Sequence, residues 1–179
     1  MTNVMKDLHR DHRNFGKVLA MLTEKLAILK GGEKTPNFAL MLDAVDYLEK
    51  YADLYHHPKE DIVYSFHLKH SNVARDTIDM LMREHQDLKG ITVQLRQAID
   101  GILHGDILLK DRFIEQLAVF IKQQQNHLDT EEASIFPLLE KGLNADDWAR
   151  IEKIMPTRND PLFGDRLEKQ YATLYERII

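Results

Sequence analysis

Apolar residues recur along the chain with spacings of three and four. The first run is Leu8, Phe15, Leu19, Leu22, Leu26 and Leu29, and the second is Phe38, Leu42, Val45, Leu48, Ala52 and Val63. A third run holds Ala74, Ile78, Leu81, Leu88, Leu95, Ile99 and Ile102, and a fourth holds Phe113, Leu117, Phe120, Ile135 and Leu138. Alternation of period two is absent, so every run predicts a helix. The runs are separated by "KGGEKTP", "HSN", "HGD" and "KGLNADD", which supply Gly, Pro or N-cap candidates at Thr35, Ser71 or Asn72, Asp106 and Asn144. These breaks predict helices over about 3–30, 37–69, 73–103, 107–141 and 145–155. "DPLFG" at 160–164 reads as a turn before a last helix over about 165–178, which would pack Leu167, Tyr171, Leu174 and Ile178 on the rest. Short connections make consecutive long helices antiparallel. The predicted fold is all-α: one domain over 1–179, an up-down-up-down four-helix bundle to about residue 141 with short C-terminal helices from about 144.

Each apolar stripe is interrupted on its core side by a polar residue. His12 fills the gap between Leu8 and Phe15, and His56 and Glu60 lie between Ala52 and Val63. His85 lies between Leu81 and Leu88, and His127 and Glu131 lie between Phe120 and Ile135. The positions repeat: His12 and His85 are 73 residues apart, and both His56–His127 and Glu60–Glu131 are 71 apart. "RDHRNF" resembles "REHQDL", so the chain reads as two helical hairpins of one plan. At about 1.5 Å of rise per residue, the distances from each polar position to its turn match across the hairpins. Four histidines and two glutamates are therefore expected in one layer midway along the bundle.

Composition narrows what that layer does. The 179 residues are 44% apolar, enough for a core, and the net charge of −5 comes without a basic block that would mark a nucleic-acid binder. No cysteine is present, which excludes disulfides, thiolate ligands and cysteine nucleophiles. The start "MTNVMKDLHRDH" is too polar for a signal peptide, and no apolar run has the length of a membrane span, so a cytoplasmic location is expected. Nine histidines are an unusual number for this length.

A His and a Glu at i and i+4 project from one helix face. The imidazole can bind one metal while the carboxylate bridges to a second. A lone histidine on a core face is ordinarily a hydrogen-bonded core residue, but buried Glu needs a partner, and two glutamates in one layer would repel or protonate without one. Nitrogen and oxygen donors without sulfur suit iron, manganese or zinc. The ligand pattern H…HxxxE…H…HxxxE, with the local wording "LHRDHRNF", "YHHPKED", "REHQDL", "HLDTEEASIFP" and "DPLFG", resembles the hemerythrin-like, or HHE cation-binding, family over nearly the whole chain. The resemblance implies a non-haem pair of iron ions with a bridging oxo or hydroxo group, held by His12, His56, Glu60, His85, His127 and Glu131. It implies binding of oxygen, nitric oxide or peroxide, for sensing, detoxification or iron handling. Two alternatives are a di-iron enzyme, for peroxide turnover or iron donation to cluster repair, and a metal-free helical interaction module. A ferritin-like site needs Glu-x-x-His motifs, which are absent.

The chain departs from oxygen-carrying relatives, whose third helix offers two histidines one turn apart. Here Leu81 and Lys89 stand four residues either side of His85. A fifth histidine must come from elsewhere. His9, one turn before His12, is the preferred candidate, and His57 is the second choice. Pro58 lacks the amide that would bond the Leu54 carbonyl, so a kink or bulge is expected there, turning His56, His57 and Glu60 toward the metals. Asp53 and Gln124 are candidate partners of ligand histidines. Tyr51, Tyr55 and Tyr64 are expected to be packing residues. His67, His70 and His104 are expected in solvent, and Asp61 and Glu132 are expected to face outward.

Overall fold

A computed structural model describes residues 2–32 and 34–179. Among these there are helices and no strands. The break at Lys30–Pro36 includes Glu33, which lies outside the described residues. Helix α1 spans Asn3–Gly31, capped at its start by the Thr2 side chain and at its end by Gly32 at φ 77°. Only a residue without Cβ takes that left-handed conformation freely. The second long helix is a composite: α2 (Phe38–Tyr47), a π-helical segment (Leu48–His56) and α3 (His57–His70). Helix α4 spans Arg75–Leu103. The fourth long helix is likewise α5 (Lys110–Thr130), a π-helical segment (Glu131–Ile135) and α6 (Phe136–Gly142). Helices α7 (Ala145–Ile154) and α8 (Ala172–Ile178) complete the chain, with a single 3₁₀ turn at Lys169–Tyr171. This is the all-α four-helix bundle with short C-terminal helices that the pattern predicts.

Caps depart from expectation at most helix starts. Asn37 rather than Thr35 caps α2, accepting from Leu40 N at 3.0 Å. Helix α4 starts after Ala74 at φ 58°, and Ser71 instead ends α3. Helix α5 follows Leu109 rather than Asp106, whose backbone N–H bonds back to Gly101 O. Asn144 does cap α7, in a reciprocal pair with Asp147.

The core is divided. One apolar cluster, including Phe15, Leu22, Val45, Leu95, Leu117 and Phe120, fills the end of the bundle nearer the α1–α2 turn. A second, including Met5, Leu8, Val63, Leu81, Ile135 and Phe136, fills the opposite end, and Leu143, Trp148 and Ile151 of α7 complete it. The polar layer lies between them. The C-terminal turn is tied to the first cluster by Asp160. Its Oδ1 accepts from Leu162 N and Phe163 N, and its Oδ2 accepts from Tyr47 O–H at 3.1 Å. A Cβ at Gly164 would collide with Asn159 Oδ1 and the Asp160 carbonyl, which is why glycine stands there. Tyr171 and Leu174 are buried as expected, whereas Leu167 is exposed. The last helix starts seven residues late because the chain bends through 164–166 and passes through a 3₁₀ turn at Lys169–Tyr171 first.

Candidate metal centre

The six expected residues do converge, with a seventh. His12, His56, His57, Glu60, His85, His127 and Glu131 are all buried. Their donor atoms form two overlapping groups, one of His12, His56 and Glu60 and one of His57, Glu60, His85 and His127. The two carboxylates face both groups. Glu60 Oε1 lies 3.1 Å from Nε2 of His12 and 3.1 Å from Nε2 of His56, while its Oε2 lies 3.4 Å from Nε2 of His85. Glu131 is turned the opposite way. Its Oε2 is 3.4 Å from Nε2 of His12, and its Oε1 is 3.4 Å from His85 and 3.3 Å from His127. Each carboxylate thus offers one oxygen to each side.

The histidine that joins the other four in the layer is His57, and His9 lies outside it. The second long helix widens to π geometry over Leu48–His56, immediately before Pro58. A π turn holds more residues than the 3.6 of an α turn. The extra residue rotates the helix register relative to an unbroken α-helix, and both His56 and His57 end up buried on the core side. His57 is 2% exposed, and its ring stacks on His85 at 4.4 Å with the planes 4° apart. His9 stays outside the group. Its Nδ1 donates to Glu132 Oε2 at 2.7 Å, and its ring sits edge-on to Phe136.

Four of the five imidazoles of the group are held from behind by an acid. Nδ1 of His12 donates to Glu132 (2.8 Å), that of His56 to Asp11 (3.1 Å), that of His85 to Asp61 (2.7 Å) and that of His127 to Glu84 (2.9 Å). His57 Nδ1 lies 3.4 Å from Asp53 Oδ1, a longer and poorly aligned contact. Asp61 and Glu132 therefore do not simply face outward. Their carboxylates reach sideways, 28% and 38% exposed, to the neighbouring helix. The signal was present in the sequence, because an acid precedes the histidine in "DH" (11–12) and "EH" (84–85), and an acid follows the glutamate in "ED" (60–61) and "EE" (131–132). Of the two acid or amide candidates, Asp53 neighbours His57, whereas Gln124 is buried with its Nε2 unpaired. Tyr64, expected only to pack, donates to Glu131 Oε1 at 2.6 Å. His70 and His104 are in solvent, but His67 is buried, with its Nε2 on the Val73 carbonyl at 3.0 Å.

The carboxylates and imidazoles of this layer shift one another's protonation. Burial opposes ionisation of Glu60, but His56 and His12 hold it well below the usual carboxylate range. Burial and the charge of Glu60 work against Glu131, and His127 and His85 pull it below its usual value. In return the imidazoles of His12, His85 and His127 hold protons more tightly. Burial lowers His12 and His85, yet the acids around them, Glu132 and Glu60 for one and Asp61 and Glu131 for the other, push both up to about 10. His57 moves the other way, because burial outweighs Asp53 and keeps it neutral. Glu60 Oε2, Glu131 Oε2 and His127 Nε2 are buried and make no hydrogen bond. Buried polar atoms are rarely left unpaired. Three of them converging, with imidazoles oriented by carboxylates, fit divalent or trivalent cations of the kind that take nitrogen and oxygen donors.

A four-helix bundle whose midplane holds five histidines and two shared carboxylates is a carboxylate-bridged metal-binding bundle. The hemerythrin HHE cation binding domain matches residues 3–139, and the chain belongs to that family. It is similar to uncharacterized proteins of Mycobacterium bovis and Mycobacterium tuberculosis, at 20% identity over 160 residues, 89% of this chain. The chain spans 62% of the length of those relatives. No solved structure matches. Among the described residues, no helix is long and apolar enough to cross a membrane.

Proposed function

We propose that the chain holds a pair of iron ions and binds a small ligand (oxygen, nitric oxide or peroxide) at one of them. Glu60 and Glu131 would bridge the two ions, with His12 and His56 on one and His57, His85 and His127 on the other. The observation that carries the reading is this unequal division of five imidazoles around two carboxylates that each face both sides. Bound there, iron supplies a site for a small ligand and one-electron redox chemistry. The His12 and His56 side, with fewer imidazoles, would leave more room for such a ligand.

The protein's own residues do the rest. The acids on Nδ1 of His12, His56, His85 and His127 fix those four rings so that Nε2 points inward. Tyr64 holds Glu131 in its bridging orientation. The apolar clusters above and below keep bulk water from the layer, with Phe136 stacked on His12 at 4.8 Å and Phe15 edge-on to His56 at 4.9 Å.

Anaerobic reconstitution with ferrous iron tests this, followed by titration with oxygen, nitric oxide and peroxide under a spectrometer. Two irons per chain and a ligand-dependent absorption change are expected. Retention of fewer than one iron per chain, or of zinc in strong preference, would overturn the assignment. The Glu131→Ala variant should lose more than half of the metal, and full occupancy of both positions in it would remove the bridging role.

A further inference from the structure

Two surface grooves reach imidazoles of the layer. The smaller, of about 240 Å³ between α4 and α5, touches His127 and is lined by Glu84, Asp87 and Leu88 among others. The larger, of about 410 Å³ between α1 and α5, touches His12, and Gly16, Leu19 and Leu128 are among its walls. The exposed Arg13 and Asp129 form its rim. Phe136 covers one face of the His12 ring at 4.8 Å and takes no part in this groove, which therefore approaches His12 from elsewhere. Just inside, Glu131 Oε2 lies 3.4 Å from Nε2 of His12, buried and without a hydrogen bond. Gly16 stands inside α1, one turn after His12, and nothing lies within 4 Å of where its Cβ would be. Glycine weakens a helix interior, and neither a turn nor close packing requires one here. Its missing side chain leaves the groove wide. The internal repeat sharpens the point. The residue matching Gly16, 73 positions on, is Lys89, and the residue matching Leu128, 71 positions back, is His57. The half of the layer with the third imidazole thus carries a long side chain where the other half carries none.

We infer that the groove between α1 and α5 is the path by which an uncharged diatomic ligand, of the oxygen or nitric oxide kind, reaches the layer, and that Gly16 sets its width. The inference rests on the proposed function and adds to it a route and a residue that controls rate. Leu19 and Leu128 give this groove apolar walls, which an apolar solute prefers to water, whereas Glu84 and Asp87 make the smaller groove acidic. Gly16 has no side chain to touch a bound ligand, so it acts on passage alone. A narrower passage raises the barrier in both directions and leaves the free and bound states as they were. It slows entry and exit by one factor and keeps the dissociation constant. A change at the metal would alter that constant instead.

The test uses iron-loaded full-length protein, the variant Gly16→Trp and, as a control, Gly90→Trp. Gly90 also stands inside a helix, α4, with nothing within 4 Å of its Cβ position, and it lies outside the groove. Iron content is measured first, which decides the metal assignment separately. In stopped flow, Gly16→Trp should take up and release nitric oxide about tenfold more slowly, with the dissociation constant, iron content and absorption of the parent. The control should match the parent throughout. Parent rates in Gly16→Trp, or slower uptake with unchanged release, would overturn the inference. A second measurement needs no metal. Dissolved oxygen is paramagnetic and speeds the relaxation of methyl protons that it meets. Leu19 and Leu88 are 1% and 3% exposed, and each lines one of the two grooves. In metal-free protein under oxygen, the Leu19 methyls should relax faster than those of Leu88, and Gly16→Trp should remove the difference. An effect at Leu88 equal to or greater than that at Leu19, or a Leu19 effect that survives Gly16→Trp, would refute this path even if the iron site is confirmed.

Discussion

At the scale of single residues, the site is governed by what stands behind each imidazole. Asp61 and Glu84 are partly exposed acids that touch no proposed metal position, yet each fixes a ring that does. Removing such a partner typically lowers metal affinity by roughly 10- to 100-fold. Asp61→Asn and Glu84→Gln should each do so, measured by competition with a chelator, while an exposed acid such as Asp129→Asn should not. Equal affinities in all three would mean that the rings are oriented by packing alone. The same contacts set a pH dependence with two opposite signs. His12 and His85 are raised to about 10 from 6.5, so in the metal-free protein each contributes stability that is complete below pH 6.5 and lost as pH rises toward 10. Metal must displace those protons, so loading at neutral pH should release about two protons from this pair and tighten as pH rises. Thermal unfolding of metal-free protein across that interval should show a falling midpoint, and calorimetry in buffers of different ionisation enthalpy should show the protons. Metal-free stability that climbs from pH 7 to 10, or loading without proton release, would contradict the raised imidazoles.

At the scale of elements, the two π-helical segments decide which side chains reach the layer. Pro58 announces the first, because the missing N–H leaves the helix unable to close a normal turn there. That much was legible from "HHPKED". The consequence was not. The sequence ranks His9 above His57, because a stripe drawn with 3.6-residue turns places His9 near the core face and His57 away from it. The segment Leu48–His56 abolishes that spacing. The second segment, Glu131–Ile135, precedes Pro137, and an unbroken helix over this region was expected because the apolar spacing continues through it. Pro58→Ala restores an amide able to bond the Leu54 carbonyl. It should raise the stability of metal-free protein, by up to about 3 kcal/mol, as α geometry becomes available. The same change should rotate His57 off the layer, lowering metal affinity and altering the absorption of the loaded protein. A variant that gained stability and bound metal unchanged would show that the π segment is not needed for the site. The cap errors have a similar origin. Ser71, Asn72 and Asp106 are sound N-cap types, but nearby turns use them, and local chemistry alone does not say which end of a connection a side chain serves.

At the scale of the molecule, the chain is two hairpins of one plan. The four outer acids follow that plan, Asp11 with Glu84 and Asp61 with Glu132, and their bonds run helix to helix around the bundle. This was readable from sequence as a repeat of six ligand positions, because identical spacing needs no knowledge of local geometry. What the repeat could not supply is the place where the halves differ. The residue matching His57, 71 positions on, is Leu128. Leu128 is 9% exposed and lies with His12 along a groove between α1 and α5. Where one side of the layer has a third imidazole, the other has an isobutyl group that cannot coordinate. On the proposed reading that difference would leave the ion of His12 and His56 with the freer position for a small ligand, and Leu128→His is the substitution that would remove it. An imidazole in the place related to His57 would offer each ion three nitrogens. The variant should keep two irons, and azide or nitric oxide should bind it about 100-fold more weakly than the parent, a cost near 2.7 kcal/mol. Iron analysis and a ligand titration followed by absorption check both halves of the expectation. Should the variant hold two irons and bind azide as the parent does, the freer position is not at the His12 and His56 side, and the unequal division of imidazoles does not set where the ligand binds.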